Sequence, residues 1–500
     1  MAKNEIRLQY SGFVIFIAKM LSISTGMIFT LLLTRWEVTG ITKEQYGMWG
    51  NILDLSTYFV LLASSLPFWT TRFVARKKIG ATKTGFFANL IIALVSIAIY
   101  IPLVPLITLA LNISTSYTIL YFLASAQIIN AYLTSVLEAC LRVKKPQAIG
   151  YGLLLAELFK ICLAYLLMVR FHMQLLGAMI SLIIAIAIQI IYYVTLVLED
   201  FKQKIQWNYL REWLKGSIVN IYSLVGNQIA AFVFILLFVY GGGEARGNYL
   251  AASTIANIIA YSFFLSFALY PKLLAERNLN DVTTSLKMVL MFAIPMTAGV
   301  IAMPESFLVI LDETYREAAP ILLLLAIDSL IATISQFYIF VLFGVERLDE
   351  EAKIPLRQLA KSNMFKVFTL SYIHSAITLP TTFYVLTNFA VNKPVEAAMY
   401  VTIINMSARF LMFLILYVIV RKSTAVIVPW KNIAKYVFAS TLMATILYML
   451  PHPTRIVLTV ATVVAGGIIY LTLLAAIDRE TKMLFNSIWQ KIKSKVRGKF

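Results

Sequence analysis

The chain has 500 residues, 60% of them hydrophobic and only 13% charged, with a mean hydropathy of +0.82. Soluble domains run near about 45–50% apolar and about 25% charged, so this composition excludes a soluble protein and implies a polytopic membrane protein. The 43 Lys and Arg against 24 Asp and Glu give +19, which in a soluble chain points to nucleic acid but in a membrane chain to charge asymmetry across the bilayer.

A bilayer core of about 30 Å needs roughly 20 apolar residues per helix. Stretches of that length separated by charged or turn-forming residues predict fourteen spans, at 12–34, 46–68, 84–111, 117–140, 147–169, 174–197, 217–240, 248–270, 285–303, 318–343, 366–389, 396–420, 430–450 and 456–477. The expected fold class is therefore all-α. The first span follows Lys3 and Arg7 as a signal peptide would, but its apolar run is too long and no small-residue cleavage site follows, so it reads as a retained anchor. Cys140 and Cys162 both lie in apolar stretches, and His172, His374 and His452 are scattered, so neither a disulfide framework nor a zinc or haem centre is expected.

With the N-terminus inside, the inner segments carry 33 basic residues, the outer loops (Arg246 among them) 7, and the spans 3. Such a split is the positive-inside signature and predicts both termini in the cytoplasm of a multi-pass plasma-membrane protein. All outer connections are short, leaving no domain there for catalysis. Two inner segments read as basic amphipathic surface helices resting on anionic headgroups. One is 198–216, with Phe201, Ile205, Trp207 and Trp213 among Lys202, Lys204, Arg211 and Lys215; the other is the tail 478–500, with Leu484, Ile488 and Ile492 among its bases.

An ungapped offset of 202 aligns 119–145 with 321–347, matching Leu120 with Leu322, Ala124 with Ala326 and Lys145 with Arg347, and places Pro102 on Pro304. Tyr46, Pro67 and Arg72 correspond to Tyr249, Pro271 and Lys272. This predicts a parallel repeat of six helices: an N-lobe 1–197, the linker 198–216, a C-lobe 217–420, two further helices within 421–477, and the tail 478–500. Two pseudo-symmetric bundles around a site imply alternating access.

Several short motifs carry a family resemblance. Thr34-Arg35-Trp36 ending the first span, then Thr42-Lys-Glu-Gln-Tyr46-Gly47, are similar to an R-x-L-G-x-E-x-Y-G opening, with Ile41 after Gly40 and a slightly longer spacing. Gly247-Asn-Tyr249-Leu-Ala-Ala, Tyr270-Pro271-Lys272-Leu and Tyr315-Arg-Glu-Ala-Ala-Pro320-Ile-Leu add to it. The chain resembles the polysaccharide and oligosaccharide-lipid flippases (O-antigen flippase-like) of the multidrug/oligosaccharidyl-lipid/polysaccharide exporter superfamily. The resemblance implies a two-lobed transporter that moves a polyprenyl-pyrophosphate-linked glycan from the inner to the outer leaflet, often coupled to an ion, Na⁺ or H⁺.

A charge inside a span faces a cavity or has a partner, because hydrocarbon penalises it by a few kcal/mol. Lys19 is placed to hold a pyrophosphate or to snorkel to the inner headgroups; Arg409, too deep to snorkel, contacts phosphate or pairs with Asp328 of the tenth span. Lys160 has Glu157 three residues before it on the same face, which makes mutual neutralisation the simpler account. Asp54 has no basic partner in its own helix and is read as an ion-coupling carboxylate, a role for which Glu157 and Asp328 are also candidates. Asn227, Gln228 and Asn257 suit glycan hydrogen bonds and, equally, interhelical ones. Pro102, Pro295 and Pro380 are expected to bend their helices.

Transport of a lipid-linked glycan is thus the leading expectation, by a non-enzymatic monomer without metal or other cofactor whose partners are the glycan-lipid, membrane lipids and glycan-assembly enzymes, and no nucleic acid. The alternatives are a lipid II flippase, a multidrug/cation antiporter of the same superfamily with twelve helices and an acid-dominated cavity, and a membrane-embedded glycosyl- or phosphotransferase. The last needs a histidine or acidic cluster on a sizeable loop, and the sequence has none.

Overall fold

The computed structural model describes residues 18, 21–22, 24–266, 279–345, 362–424, 427–451, 453–478 and 481. Lys19 and nearly all of the tail 478–500 lie outside them.

The protein is an all-α polytopic membrane protein. Fifteen helices organise the described residues: α1 (Ser24–Thr34), α2 (Lys43–Ala75), α3 (Ala81–Ala110), α4 (Thr115–Lys144), α5 (Pro146–Arg170), α6 (Gln174–Lys202), α7 (Trp207–Gly216), α8 (Ile218–Ala260), α9 (Leu279–Ala302), α10 (Pro304–Leu311), α11 (Ala319–Val345), α12 (Asn363–Asn388), α13 (Pro394–Ser423), α14 (Trp430–Met449) and α15 (Ile456–Ile477). Ten helical stretches among these residues are long and apolar enough to cross a membrane. α12 and α14 are as long but more polar, and one of the ten stretches, Asn220–Ser266, covers two predicted spans. Each of the fourteen predicted spans overlaps one of these segments.

Helix boundaries follow local chemistry. A capping box starts α2: Gln45 N donates to Thr42 Oγ1 at 3.1 Å and Thr42 N to Gln45 Oε1 at 2.9 Å. A 3₁₀ turn at Leu61–Ser64 precedes Pro67, whose missing N–H leaves the Ala63 carbonyl without its helical donor. α5 ends in a π turn, Tyr165–Arg170. α8 breaks into arms 218–241 and 243–260 at Gly242, where φ is +87° and ψ 168°, a conformation that glycine tolerates best. α3, α9 and α12 continue through Pro102, Pro295 and Pro380.

The chain forms two compact units, Met1–Gly247 and Asn248–Phe500. In the first, Val136, Leu137, Leu141, Ile149, Ile190, Tyr193 and Val197 make a core of α4, α5 and α6. Gly152 lets the Tyr193 ring lie against the α5 backbone, and the phenol donates to Ile149 O at 3.0 Å. Polar side chains that lipid cannot satisfy bond between helices: Asn51 Nδ2 donates to Tyr121 Oη at 2.9 Å, Asn89 Nδ2 to Tyr132 O at 2.9 Å and Asn130 Nδ2 to Ile183 O at 3.1 Å.

In the second unit α9, α11, α13, α14 and α15 share one core built around Phe337, Tyr338, Leu416, Tyr436 and Tyr470. Tyr470 Oη donates to Met291 O at 2.7 Å, tying α15 to α9, and Gly466 brings α15 close to Leu447 of α14. Leu120 and Ala124 on α4, and their repeat counterparts Leu322 and Ala326 on α11, are all buried.

The segment 198–216, expected as one surface amphipath, is instead a 3₁₀ turn at Leu198–Lys202 followed by α7. Trp213 is fully buried, because its indole packs edge-on against Phe73 of α2 with Leu66 and Ala88 beneath.

Candidate functional site

Among the described residues, three groups of charged side chains concern the sequence candidates. On α1 and α5, Glu157 Oε1 accepts from Ser22 Oγ at 3.1 Å, and its Oε2 accepts from Thr25 Oγ1 at 2.6 Å and meets Lys160 Nζ at 2.6 Å. The ammonium also stands 5.5 Å over the Phe29 ring, and the Lys160 side chain is only 13% exposed. The turn spacing that places both residues on one face of α5 thus produces a closed, neutralised cluster, as the simpler account of the sequence had it.

The second group joins α2 to α8. Asp54, which has no basic partner in its own helix, pairs with Arg246: Nε at 3.0 Å and Nη2 at 2.8 Å both donate to Oδ2. Arg246, assigned from sequence to an outer loop, lies inside the Asn220–Ser266 stretch, is 4% exposed, and stacks 5.0 Å from the Phe234 ring. Beside it Gln228 Nε2 donates to Thr57 Oγ1 at 2.6 Å and Tyr58 Oη to Gln228 O at 3.1 Å. Glycines make the approach: a Cβ at Gly47 would run into the Gly243 backbone and one at Gly247 into the Lys43 carbonyl. Gly243 and Gly247 are spaced as in the small-residue motif of packed membrane helices. That spacing was the available signal for Arg246, which stands four residues past the non-helical Gly242 that divides the two arms.

The third group, in the second unit, unites Asp328 of α11, Arg409 of α13 and His374 of α12. Arg409 Nε lies 2.9 Å from Asp328 Oδ1, yet the approach is oblique and neither atom makes a hydrogen bond. Asp328 is 9% exposed whereas the Arg409 side chain is 41% exposed, and since Nε is buried the exposure falls on the rest of the side chain. His374 is held to the Asn405 backbone within the field of Arg409. Arg409 sits near the middle of the 30-residue α13, roughly 20 Å from either end at 1.5 Å per residue. Sequence reasoning set His374 aside as a scattered histidine; the α12–α13 contact that brings it to Arg409 has no local signature.

These geometries rank the cations. Lys160 and Arg246 are enclosed and matched by carboxylates, whereas Arg409 combines a buried counter-ion with a side chain that is 41% exposed, and a guanidinium is a donor set that suits phosphate oxygens. Asn227, in the first unit, and Asn257, in the second, are both exposed. Among the described residues no cluster of His, Cys, Asp or Glu could hold a metal ion.

No protein-family model and no curated protein matches the chain. Solved structures do. The lipid II flippase MurJ, in an inward closed conformation, superposes with a TM-score of 0.64 over 94% of this chain and 99% of its own, at 15% identity. The chain shares its fold. A multidrug resistance MATE family transporter of the MOP superfamily matches in its inward-facing conformation with a TM-score of 0.57 over 80% of this chain and 95% of its own, at 14% identity. Its outward-facing conformation gives 0.54 over 82% and 96%, also at 14% identity. These solved structures are of a flippase and a transporter.

Proposed function

We propose that the protein is a flippase for polyprenyl-pyrophosphate-linked glycans, working by alternating access and delivering the headgroup from the inner to the outer leaflet. The observation that carries this reading is Arg409: an arginine at mid-depth of a span whose side chain is 41% exposed and which meets Asp328 through Nε. A charge kept accessible at that depth needs an anionic ligand to justify its cost, and a pyrophosphate supplies one. Lys19, Asn227 and Asn257 are the further substrate contacts we assign, the asparagines to sugar hydroxyls, whereas Lys160 is left out because Glu157 already neutralises it. Movement is coupled to Na⁺ or H⁺ through Asp54, Glu157 or Asp328, of which Asp328 has the least saturated carboxylate. Nothing in the reading calls for bond-breaking chemistry, so the activity is transport.

A second reading, lipid II as the glycan-lipid, is favoured by the match over 94% of this chain to the lipid II flippase. The MATE transporters leave a larger part of the chain unmatched, a margin of the size of a two-helix hairpin such as α14–α15.

The test is translocation in proteoliposomes of a fluorescent polyprenyl-pyrophosphate disaccharide, of lipid II, and of a cationic dye. Wild type moves a glycan-lipid, Arg409→Ala slows it at least ten-fold, and Arg409→Lys retains part of the rate. Dye transport without glycan-lipid transport would overturn the proposal, and undiminished rates in both Arg409→Ala and Lys19→Ala would overturn the site.

A further inference from the structure

α7 presents three faces. Tyr209, Leu210, Trp213 and Ser217 form the docked one: Trp213 is fully buried, Tyr209 Oη donates to Ile79 O at 3.4 Å, and Ser217 Oγ donates to Ser65 O at 3.4 Å. Asn208 and Glu212 form a polar face. On the remaining face Trp207, Leu214 and Ile218 are 52%, 49% and 53% exposed, with Arg211 between them. Positions 207, 211, 214 and 218 fall at helical spacing, so this is one continuous stripe.

The segment just before α7 is fastened to the turn between α2 and α3. Gln203 Oε1 accepts from Gly80 N, Gln206 N donates to Thr84 Oγ1 at 2.9 Å, and the Lys204 carbonyl lies against Gly80 Cα so closely that no Cβ fits there. Gly80 also has φ +79°, which adds a second reason for glycine. This turn displays Ile79, 71% exposed, beside exposed Arg76, Lys77 and Lys78, while Lys202, Lys204 and Arg211 are exposed on the fastened segment. Six bases and four large apolar side chains thus share one end of the first unit.

We propose that this surface is a binding site for acidic phospholipids: Trp207, Leu214, Ile218 and Ile79 enter the headgroup layer and the six bases take the lipid phosphates. Two observations select the bilayer as occupant. α7 ends at Gly216 with Ser217 as its cap, and the next stretch long and apolar enough to cross a membrane begins at Asn220, so the stripe stands within a few residues of a span and hence at the bilayer surface. The charges that flank it are those that anionic headgroups attract, and the amphipathic indole of Trp207 suits that depth. Because the opposite face of α7 is locked to α2 and α3 through Trp213 and Gly80, lipid bound here bears on the α2–α3 turn and not on a loose linker. The inference stands independently of the transported substrate.

The experiment uses the full chain in nanodiscs of phosphatidylcholine alone or with 30% phosphatidylglycerol, about the anionic content that makes electrostatic adsorption strong. A nitroxide on Leu214→Cys, in a chain carrying Cys162→Ala, reports collisions with oxygen and with a polar relaxant, and native mass spectrometry counts retained phosphatidylglycerol. The label is expected to favour oxygen, more so with phosphatidylglycerol, while a label on Asn208→Cys favours the polar relaxant. Combined Lys202→Gln, Lys204→Gln and Arg211→Gln should weaken phosphatidylglycerol retention at least ten-fold, given roughly five-fold per base near an anionic surface. The charge-preserving Arg211→Lys should retain it, which separates lost charge from lost folding. Equal exposure of positions 214 and 208 to the polar relaxant, or phosphatidylglycerol retention unchanged in the triple variant, would overturn the proposal.

Discussion

Arg246 and Arg409 differ in how their counter-ions hold them. Arg246 directs two N–H groups to one carboxylate oxygen and packs against Phe234, whereas Arg409 meets Asp328 obliquely and its side chain is 41% exposed. Removing one partner of a buried pair costs about 3–5 kcal/mol, while replacing both with apolar residues of similar volume is close to neutral. Arg246→Ala should therefore lower the melting temperature sharply, and Asp54→Leu with Arg246→Met should recover most of the loss, as differential scanning fluorimetry in detergent would read. Outside the spans, Asp478 supplies a pH-dependent contribution. Burial pushes its carboxyl up, but the Lys435 ammonium at 2.8 Å and the Thr481 hydroxyl at 2.6 Å and N–H at 3.1 Å outweigh that and hold it below its ordinary value of 3.8. The stabilisation is full above the unfolded value of 3.8 and is lost as pH falls through the lower folded value. Asp478→Asn should be less stable than wild type at pH 6, and the gap should close as pH falls to and below 3.8.

The elements show how small residues place the charges. Gly47 on α2 and Gly243 and Gly247 on α8 allow backbone contact, and one and a half to two turns along α2 from Gly47 that contact brings Asp54 to Arg246. Gly47→Ala forces a methyl group into the Gly243 backbone, a misfit of the kind that costs roughly 1–3 kcal/mol. Gly26, where an added Cβ would have nothing within 4 Å, should accept alanine without loss, and comparing the two melting temperatures checks the assignment. Helical spans were legible because the requirement for apolar length is local. α7 was legible only as an amphipath: its composition could not reveal that Trp213 serves the protein interior while Trp207 stays outside, since both are tryptophans on a basic segment.

At the scale of the molecule, charge asymmetry predicts orientation. With the basic loops inside, cysteines introduced at Lys78 and Lys204 should react with an impermeant maleimide only from the cytoplasmic face, and cysteines at Asp312 and Asn392 only from outside. Labelling of positions 78 and 204 only from outside and of 312 and 392 only from the cytoplasmic face would reverse the topology, and labelling of all four from one face would overturn it. The amino-acid sequence by itself determined the helical membrane class and the positions of the spans, because hydrophobic length and charge distribution are properties of contiguous residues. Only the tertiary structure decided which charges within those spans are quenched and which are accessible. Asp54 and Arg246 are 192 positions apart, and Asp328, His374 and Arg409 come from three helices, so their pairings depend on packing that no window of sequence contains.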